Sequence, residues 1–558
     1  MTKFLNKFLP ITICFVFFSC KVNYGQSASN NGTNKSPYLA LEQEEYVNWH
    51  HKDYSSDSLP GISLEKAYDE VLKNKKGKEV IIAVIDTDVN ISHPDLHNQI
   101  WVNKKEKVNG KDDDRNGYID DVNGWNFISD SIGNTELFVN YEYTRILKKY
   151  DTVFSNIDSS NVAIEDRGIY QEYLRAKQVY SERMQYALKE KNYIDYYLNS
   201  SQAADKALSQ LFPDKKYSKS KIDSLLKLKT TSPLLVPHLN YILTEIKYNI
   251  TDEWLSNYRL KTYERLDKLL NKKFNDRQNI GDNVEDLNDI NYGSPIIDKQ
   301  AEFLEHGTLV AGAIASTRDN TGAEGISNNI KLMILTVSSL GDENDKDLAL
   351  AIRYAVDNGA KVINISSGKK FSIHKDWIMN EMKNAEKEGV LIITSAGNSN
   401  VDLDRADSYS YPNDTDELGH EKVGNFIKVS SSSYKMDNKF KENETAYGKK
   451  NVDLFAPGEK IYTTSALKEK PYQFSSGTSM ASAVTSGIAG LLFSYYPKLT
   501  AKQVKQILMA SGTSYDVEVE IILEDKSKKM IPFSELSKSG KVINAYNALL
   551  MAEKLSKK

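Results

Sequence analysis

The sequence contains very little cysteine. Cys14 and Cys20 are the only two among 558 residues, and both lie within the first 20 positions. The chain beyond residue 20 therefore has no pair of cysteines with which to form an internal disulfide bond. Its stability has to come from packing and from any bound ions.

An excess of basic residues is also missing. The chain has 72 Lys and Arg against 76 Asp and Glu, a formal net charge of -4 and a pI near 6.2. Nucleic-acid-binding proteins usually present a basic face, so no nucleic-acid partner is expected. With 558 residues the chain exceeds the size at which one core stops growing, so at least two folding units are expected. The composition leaves the oligomeric state open.

No apolar run reaches the roughly 20 residues that cross a bilayer. Residues 9–18 are mostly apolar and follow Lys3 and Lys7, which is typical of a secretory signal. They lead into Ser19 and Cys20, and this end resembles the lipobox of bacterial lipoproteins, whose cysteine is acylated. We predict a signal peptide over residues 1–20 and export of a protein that Cys20 anchors to a bacterial cell membrane, facing the periplasm or the cell surface. An ordinary cleaved signal is the alternative.

Residues 21–45 are rich in Asn, Ser and Gly, which predicts a flexible tether. Glycine, by contrast, is nearly absent from residues 134–280, where Gly168 is the only one of the chain's 29. Apolar residues recur there every three or four positions, which predicts a large all-helical insert. The main body of the protein would then comprise residues 46–133 and 281–558. The first stripe is Ile169, Tyr173, Ala176, Tyr180, Met184 and Ala187, and the second is Ile242, Ile246, Ile250, Trp254 and Tyr258.

Outside the insert, short apolar runs alternate with helical segments. This alternation implies right-handed crossovers and an α/β fold with a doubly wound, mostly parallel sheet. The predicted strands are residues 79–86, 331–337, 361–366, 390–395 and 426–430. The predicted helices are residues 307–317, 345–358, 375–388, 479–496 and 501–510.

Four polar residues stand where these strands end or these helices begin. Asp86 closes one strand, Asn398 follows another, and His306 and Ser479 open helices. Such positions converge at the carboxyl edge of a parallel sheet. The segments HGTLVAGAIA, TSAGNSN and SSGTSMASAVTSGIAGLL, in the chain order Asp, His, Ser, resemble the subtilisin-like serine peptidases, the subtilase family. That order excludes the chymotrypsin and α/β-hydrolase arrangements.

The resemblance implies a subtilisin-like fold and a serine endopeptidase that hydrolyses peptide bonds of polypeptide substrates through an acyl-enzyme. Asp86, His306 and Ser479 would form the catalytic triad, and Asn398 would stabilise the oxyanion. No cofactor is expected for catalysis. A catalytically silent binding or scaffold protein of the same fold, acting through the helical insert, is the alternative.

The resemblance also implies a substrate-binding edge. The run Ser366, Ser367 and Gly368 follows a predicted strand and would pair with an extended peptide as an added strand. Ala396 and Gly397, which precede Asn398, are assigned to the same function.

An acidic stretch, KDDDRNGYIDDVNGWNF, fits a calcium-loop pattern. Alternating oxygen ligands around a glycine turn suit Ca²⁺, so a structural calcium ion is a candidate ligand. A solvated acidic turn is the alternative, since the glutamate that closes a standard loop is missing. The candidate ligands are Asp112, Asp114, Asn116, Asp120 and Asp121.

Two further expectations concern the surroundings of the triad. Asp88 stands where the family usually has glycine, and we expect its carboxylate to face solvent; the alternative is that it raises the basicity of His306. The basic insert, with 24 Lys and Arg against 18 Asp and Glu over residues 141–280, is expected to pack beside the active-site cleft. Projecting outward to hold a partner is the alternative.

Overall fold

A computed structural model describes residues 46–557 except 229, 417 and 524. The chain divides into two compact units. One consists of the described residues up to Leu137 together with those from Arg277 onward, and the other is Phe138–Asp276. The signal peptide, the lipid anchor at Cys20 and the tether all lie outside the described residues. Within the described part, no helix is both long enough and apolar enough to cross a lipid bilayer.

The first unit is built on a parallel sheet with helices on both sides. Its strands are β1 Val80–Asp86, β2 Gly124–Asn126, β3 Ile330–Thr336, β4 Val362–Ile365, β5 Leu391–Ser395, β6 Phe426–Ser432 and β7 Leu454–Pro457, followed by the hairpins β8 Ile461–Thr464 with β9 Tyr472–Ser475 and β10 Glu518–Ile522 with β11 Lys528–Pro532. Its helices are α1 Tyr54–Asp57, α2 Leu64–Lys66, α3 Pro94–His97, α9 His306–Ala315, α10 Asp345–Asp357, α11 Lys375–Lys387, α12 Thr478–Tyr495, α13 Ala501–Ser511 and α14 Ala545–Ser556; α4 to α8 belong to the second unit.

The seven strands lie in the order β2-β3-β1-β4-β5-β6-β7, all parallel. The order reverses direction at β1, whose neighbours are β3 and β4. Asp86 at the end of β1 is in register with Thr336 at the end of β3. In such a sheet the crevice beyond the carboxyl ends, at the point of reversal, is where ligands bind.

Each face of this sheet packs on its own apolar core. One core lies against α9, α12 and α14 and includes Ile82, Val84 and Leu491, and the other lies against α10 and α11 and includes Ile85, Leu350 and Met382. Because both faces are covered, the strands read as continuous apolar runs rather than as alternating ones. The predicted doubly wound α/β fold is therefore confirmed.

Two strands of the sheet were not expected from the sequence. β2 has three residues and β7 has four, and no predicted strand covers either of them. Both lie at the ends of the strand order. The sequence analysis therefore missed the two edge strands of the seven-stranded sheet.

Among the described residues of the second unit, the regular elements are all helices, namely α4 Glu142–Phe154, α5 Arg167–Leu208, α6 Lys219–Lys227, α7 Val236–Tyr248 and α8 Asp252–Glu264, with short helical turns. Its apolar cluster includes Leu208, Phe212 and Leu239. The first predicted stripe lies on the 42-residue α5, where Tyr173, Ala176 and Ala187 are buried.

The second predicted stripe is not one continuous helix. Asn249 adopts a left-handed conformation, φ 50°, that ends α7, and the Thr251 side chain caps the start of α8 by accepting a hydrogen bond from Trp254 N. Asparagine tolerates this conformation and threonine favours caps. These two residues therefore break a pattern whose apolar spacing alone suggested a single helix.

Candidate active site

Asp86 and His306 meet at the carboxyl edge of the sheet. The ring Nδ1–H of His306 donates to Oδ1 of Asp86 at 2.7 Å, and the same oxygen accepts from the backbone N–H of Thr87 at 2.7 Å. The Asp86 side chain is 1% exposed. Because Nδ1 carries the proton in this contact, the Nε2 atom is left as the basic nitrogen of a neutral ring.

Further hydrogen bonds join residues 86–90 to residues 297–308, and we call this set the clasp. Besides the Asp86 contact, it includes Thr87 Oγ1 donating to the Leu304 carbonyl at 2.6 Å, Gly307 N donating to Thr87 Oγ1 at 2.8 Å, Val89 N donating to the Ile297 carbonyl at 2.9 Å and Asn90 N donating to Thr308 Oγ1 at 2.9 Å. Gly307 permits this approach, since a Cβ atom there would lie 2.4 Å from the Thr87 carbonyl oxygen. The clasp fixes the start of α9 against the end of β1.

The electrostatics of the pair favour a basic His306. Burial alone lowers the pKa of this imidazole, but the negative charge of Asp86 and the hydrogen bond to it outweigh burial, and the pKa is raised above its usual 6.5. Glu305 adds to the rise. A histidine in this state accepts a proton readily near neutral pH.

Ser479 lies in the first turn of α12 and is 5% exposed. Its Oγ donates to the backbone carbonyl of Ser366 at 2.9 Å. Gly477 precedes the helix with φ 133°, a conformation that residues with a side chain rarely adopt. The turn therefore places Ser479 where the helix dipole is positive.

Asn398 follows β5 and reaches the same helix start. Its Oδ1 accepts from both the backbone N–H and the hydroxyl of Thr478, each at 2.9 Å. Among the described residues, its Nδ2 has no hydrogen-bond partner. A Cβ atom on Gly477 would lie 2.9 Å from this Nδ2. The amide N–H is thus held next to the serine turn and can donate to a charge that develops there.

A network of buried polar side chains contacts the backbone carbonyl of Ser479. Asn364 Nδ2 donates to Ser366 Oγ at 2.9 Å, and Ser486 Oγ donates to Asn364 Oδ1 at 2.9 Å. Ser366 Oγ and Ser482 Oγ lie 2.9 Å apart, and both donate to the Ser479 carbonyl. The sequence analysis missed Asn364, Ser482 and Ser486. Their signal was present: Asn364 is a polar residue within the apolar strand β4, and Ser482 and Ser486 are small polar residues on the mostly apolar α12.

The residues assigned to substrate binding lie around this centre. Ser366 and Ser367 are buried, whereas Gly368 is exposed. The next residue, Lys369, pairs with Tyr411 through two backbone hydrogen bonds of 2.8 and 3.0 Å. Ala396 is buried, and Gly397, with φ 103°, donates its N–H to Thr478 Oγ1 at 3.1 Å.

The acidic loop divides into two groups. Carboxylate oxygens of Asp112 and Asp114 lie within 4.8 Å of one another and of Glu106, which the sequence analysis did not include. Glu106 is 6% exposed, and its Oε2 has no hydrogen-bond partner. Three carboxylates this close repel one another, which a shared cation would relieve. The orphaned, buried oxygen therefore fits a hard cation such as Ca²⁺.

The other proposed ligands are engaged elsewhere. Asp120 accepts from the backbone N–H groups of Asn109 and Gly110 at 2.8 and 3.0 Å. Asp121 accepts from Asn116 Nδ2 at 2.8 Å and from the Tyr354 hydroxyl, and burial raises its pKa to about 6. Asn116 caps the loop, since its N–H donates to Asp112 and Asp114, both at 3.1 Å.

The expectation that Asp88 faces solvent is wrong. Its side chain is fully buried at 0% exposure. Its oxygens accept from Gln300 N at 2.9 Å, Thr336 Oγ1 at 3.0 Å and Asn126 Nδ2 at 3.2 Å. These donors come from strand ends and from the segment before α9, which short-range sequence patterns do not bring together.

The model of the Subtilase family, Peptidase_S8, matches residues 77–529. The chain is 34% identical over 202 residues to the major intracellular serine protease of Bacillus subtilis (strain 168), covering 36% of this chain and 58% of that protein. It is 30% identical over 210 residues to subtilisin DY of Bacillus licheniformis, covering 38% of this chain and 70% of that protein. The chain thus spans little more than half the length of the first of these relatives.

Among solved structures, a chain from the subtilase cytotoxin SubAB assembly superposes over 47% of this chain and 81% of its own length, with a TM-score of 0.38 and 24% sequence identity.

Proposed function

Since the chain belongs to the subtilase family, we propose that it is a serine endopeptidase that hydrolyses peptide bonds through an acyl-enzyme intermediate. The family relatives are serine proteases by name. The observation that carries the proposal is the 2.7 Å contact between His306 and the buried Asp86. It gives a histidine the orientation and the raised pKa that a general base requires.

In the first step the Ser479 hydroxyl attacks the carbonyl carbon of the scissile bond. Its proton passes to Nε2 of His306, and a bond forms between Oγ and the carbonyl carbon. Asp86 stabilises the imidazolium that results and keeps the ring oriented. The carbonyl oxygen becomes an oxyanion, which accepts from Asn398 Nδ2 and from the backbone N–H of Ser479.

The tetrahedral intermediate then collapses. The carbon–nitrogen bond breaks, and the imidazolium returns its proton to the leaving amine. Water next attacks the acyl group on Ser479 by the same route, with His306 again taking the proton. The carboxylic acid product leaves and the serine hydroxyl is restored, so the proposed cycle needs only these residues and water.

A fluorophosphonate probe tests this proposal. The probe reacts with an activated serine, so the wild type should be labelled at Ser479 and Ser479→Ala should not. Loss of the nucleophile lowers turnover by roughly 10⁶-fold in peptidases of this type. A wild-type protein that is neither labelled nor able to cleave casein would favour the silent scaffold instead.

We also propose that Ca²⁺ binds Glu106, Asp112 and Asp114. The ion would neutralise three neighbouring carboxylates and so favour the folded chain. It would have a structural function and take no part in peptide hydrolysis.

The proposed location is a bacterial cell membrane, with the enzyme anchored through an acylated Cys20. Some relatives are described as extracellular or cell wall-associated, which agrees with export. Mass spectrometry of the mature N-terminus provides the test. A diacylated or triacylated peptide beginning at Cys20 supports the anchor, and an unmodified N-terminus beyond residue 20 contradicts it.

A further inference from the structure

Asp88 is a buried carboxyl group, close in sequence to Asp86, that the proposed triad does not use. It lies two residues after Asp86, is fully buried, and makes its hydrogen bonds to residues other than His306. It accepts three hydrogen bonds, from Gln300 N, Thr336 Oγ1 and Asn126 Nδ2. A buried carboxylate remains charged only where donors compensate for the lost water.

The three donors come from three different parts of the fold. Asn126 ends β2 and Thr336 ends β3, while Gln300 belongs to the segment that leads to α9. One carboxylate therefore connects the ends of two neighbouring strands, β2 and β3, with the segment that leads to His306. Within the clasp, it is the only side chain of residues 86–90 that also bonds to β2 and β3.

The geometry points to Asp88 as a positioning residue that sets the place of His306 by holding the segment 297–300 against the sheet. This inference rests on the proposed function, since it concerns the base of that same triad. The backbone of Asp88 also lies close to the residue that follows His306, because a Cβ atom on Gly307 would lie 2.9 Å from the Asp88 carbonyl oxygen. A displaced His306 is no longer placed to accept the proton of the Ser479 hydroxyl. A misplacement of about 1 Å can lower turnover by about 100-fold.

The protonation of Asp88 then affects activity. Burial raises the pKa of this carboxyl to about 6, its three hydrogen bonds notwithstanding, and the nearby negative charge of Asp298 contributes. Asp86, the other close carboxylate, is bonded to His306 and Thr87. As pH falls through about 6, protonation removes an acceptor for these donors. Protonation of Asp88 would then weaken the clasp. On lowering the pH this happens after His306 has been protonated, because the pKa of His306 is raised above 6.5.

Two protonations on the acid side have a distinct kinetic signature. A plot of log kcat/KM against pH should approach a slope of two below about pH 6 in the wild type, because His306 and Asp88 both take up a proton. Asp88→Asn, which keeps the shape but replaces an acceptor with a donor, should lower kcat by about 10- to 100-fold. Its slope should stay at one.

Asp298→Asn is the matched control. Asp298 is exposed and close enough to raise the pKa of Asp88, but its carboxylate does not bond to the strand ends. Its kcat and its slope of two should be kept. Thr336→Val removes one donor without changing shape and should produce a smaller loss of kcat in the same direction. A wild-type slope of one, or an unchanged kcat in Asp88→Asn, overturns the inference.

Amide hydrogen exchange separates this inference from the proposed function, because it needs no catalysis. Exchange in a peptide covering residues 297–308 should be faster in Asp88→Asn than in the wild type and unchanged in Asp298→Asn. Equal protection in all three proteins refutes the positioning function, whatever the enzyme assay gives. Faster exchange together with a wild type that cleaves nothing supports the positioning of this segment and rejects the peptidase.

Discussion

Replacing Asn398 with alanine separates two functions of one side chain. The change removes the Nδ2 donor aimed beside the serine turn and the Oδ1 acceptor of the two Thr478 hydrogen bonds. Loss of one oxyanion donor costs about 2.7 to 4 kcal/mol of transition-state stabilisation, or about 10²- to 10³-fold in kcat. Loss of the helix-start bonds costs about 1 to 2 kcal/mol of folding stability. We therefore expect a large fall in kcat, little change in KM, and a modestly lower Tm.

Steady-state hydrolysis of a peptide anilide and a thermal melt measure these effects. Thr478→Val is the matched control, because it removes the hydroxyl that donates to Asn398 but leaves Nδ2 in place. It should lower the Tm while keeping most of the kcat. If Thr478→Val and Asn398→Ala lose kcat equally, Asn398 acts by holding the helix start and the oxyanion assignment is wrong. A rise in KM at constant kcat would also contradict it, because that pattern reports ground-state binding.

Three other predictions concern pH, calcium and the helical unit. The acid limb of kcat/KM should have its upper midpoint above pH 6.5, because Asp86 raises the pKa of His306 and only the neutral ring is a base; Asp86→Asn should move this midpoint down, and an unmoved limb would contradict the assignment. Ca²⁺ at 100 times its Kd should stabilise the protein by about 2.7 kcal/mol. A thermal melt should show this in the wild type and in Asp120→Asn, but not when Glu106, Asp112 and Asp114 are all changed to amides. If the helical insert packs beside the active-site cleft and restricts access to it, replacing residues 140–275 with a Gly/Ser linker should keep hydrolysis of a small peptide and increase cleavage of a bulky folded protein; an unchanged ratio of the two rates would reject that packing.

The strands that carry the site were predictable because they are buried on both faces. The apolar runs that end at Asp86 and at residue 395 correspond to β1 and β5, within one residue at each end. Helices α9 and α12 each begin within one residue of the predicted start. Parallel strands then bring their carboxyl ends together, so the meeting of Asp86 with His306 followed from position and motif.

Residues that act through long-range contacts were not predictable in the same way. Asp88 differs from the family pattern, and its donors lie 38 to 248 positions away. Glu106 precedes Asp112 by six positions, outside the spacing of a calcium motif. A sequence pattern describes neighbours along the chain, whereas these side chains depend on which segments the sheet places side by side.

The clasp also has a consequence for when activity can arise during synthesis. Its two sides are 220 positions apart at Asp86 and His306, and Ser479 follows a further 173 positions later. At about 5 to 20 residues per second, the ribosome needs roughly 20 to 80 s to pass from Asp86 to Ser479. The helical unit is complete before His306 is made, and Ser479, the proposed nucleophile, is made last. If the proposed mechanism holds, the growing chain lacks its nucleophile for most of its synthesis, and peptide hydrolysis can start only after residues in the final fifth of the polypeptide have been made.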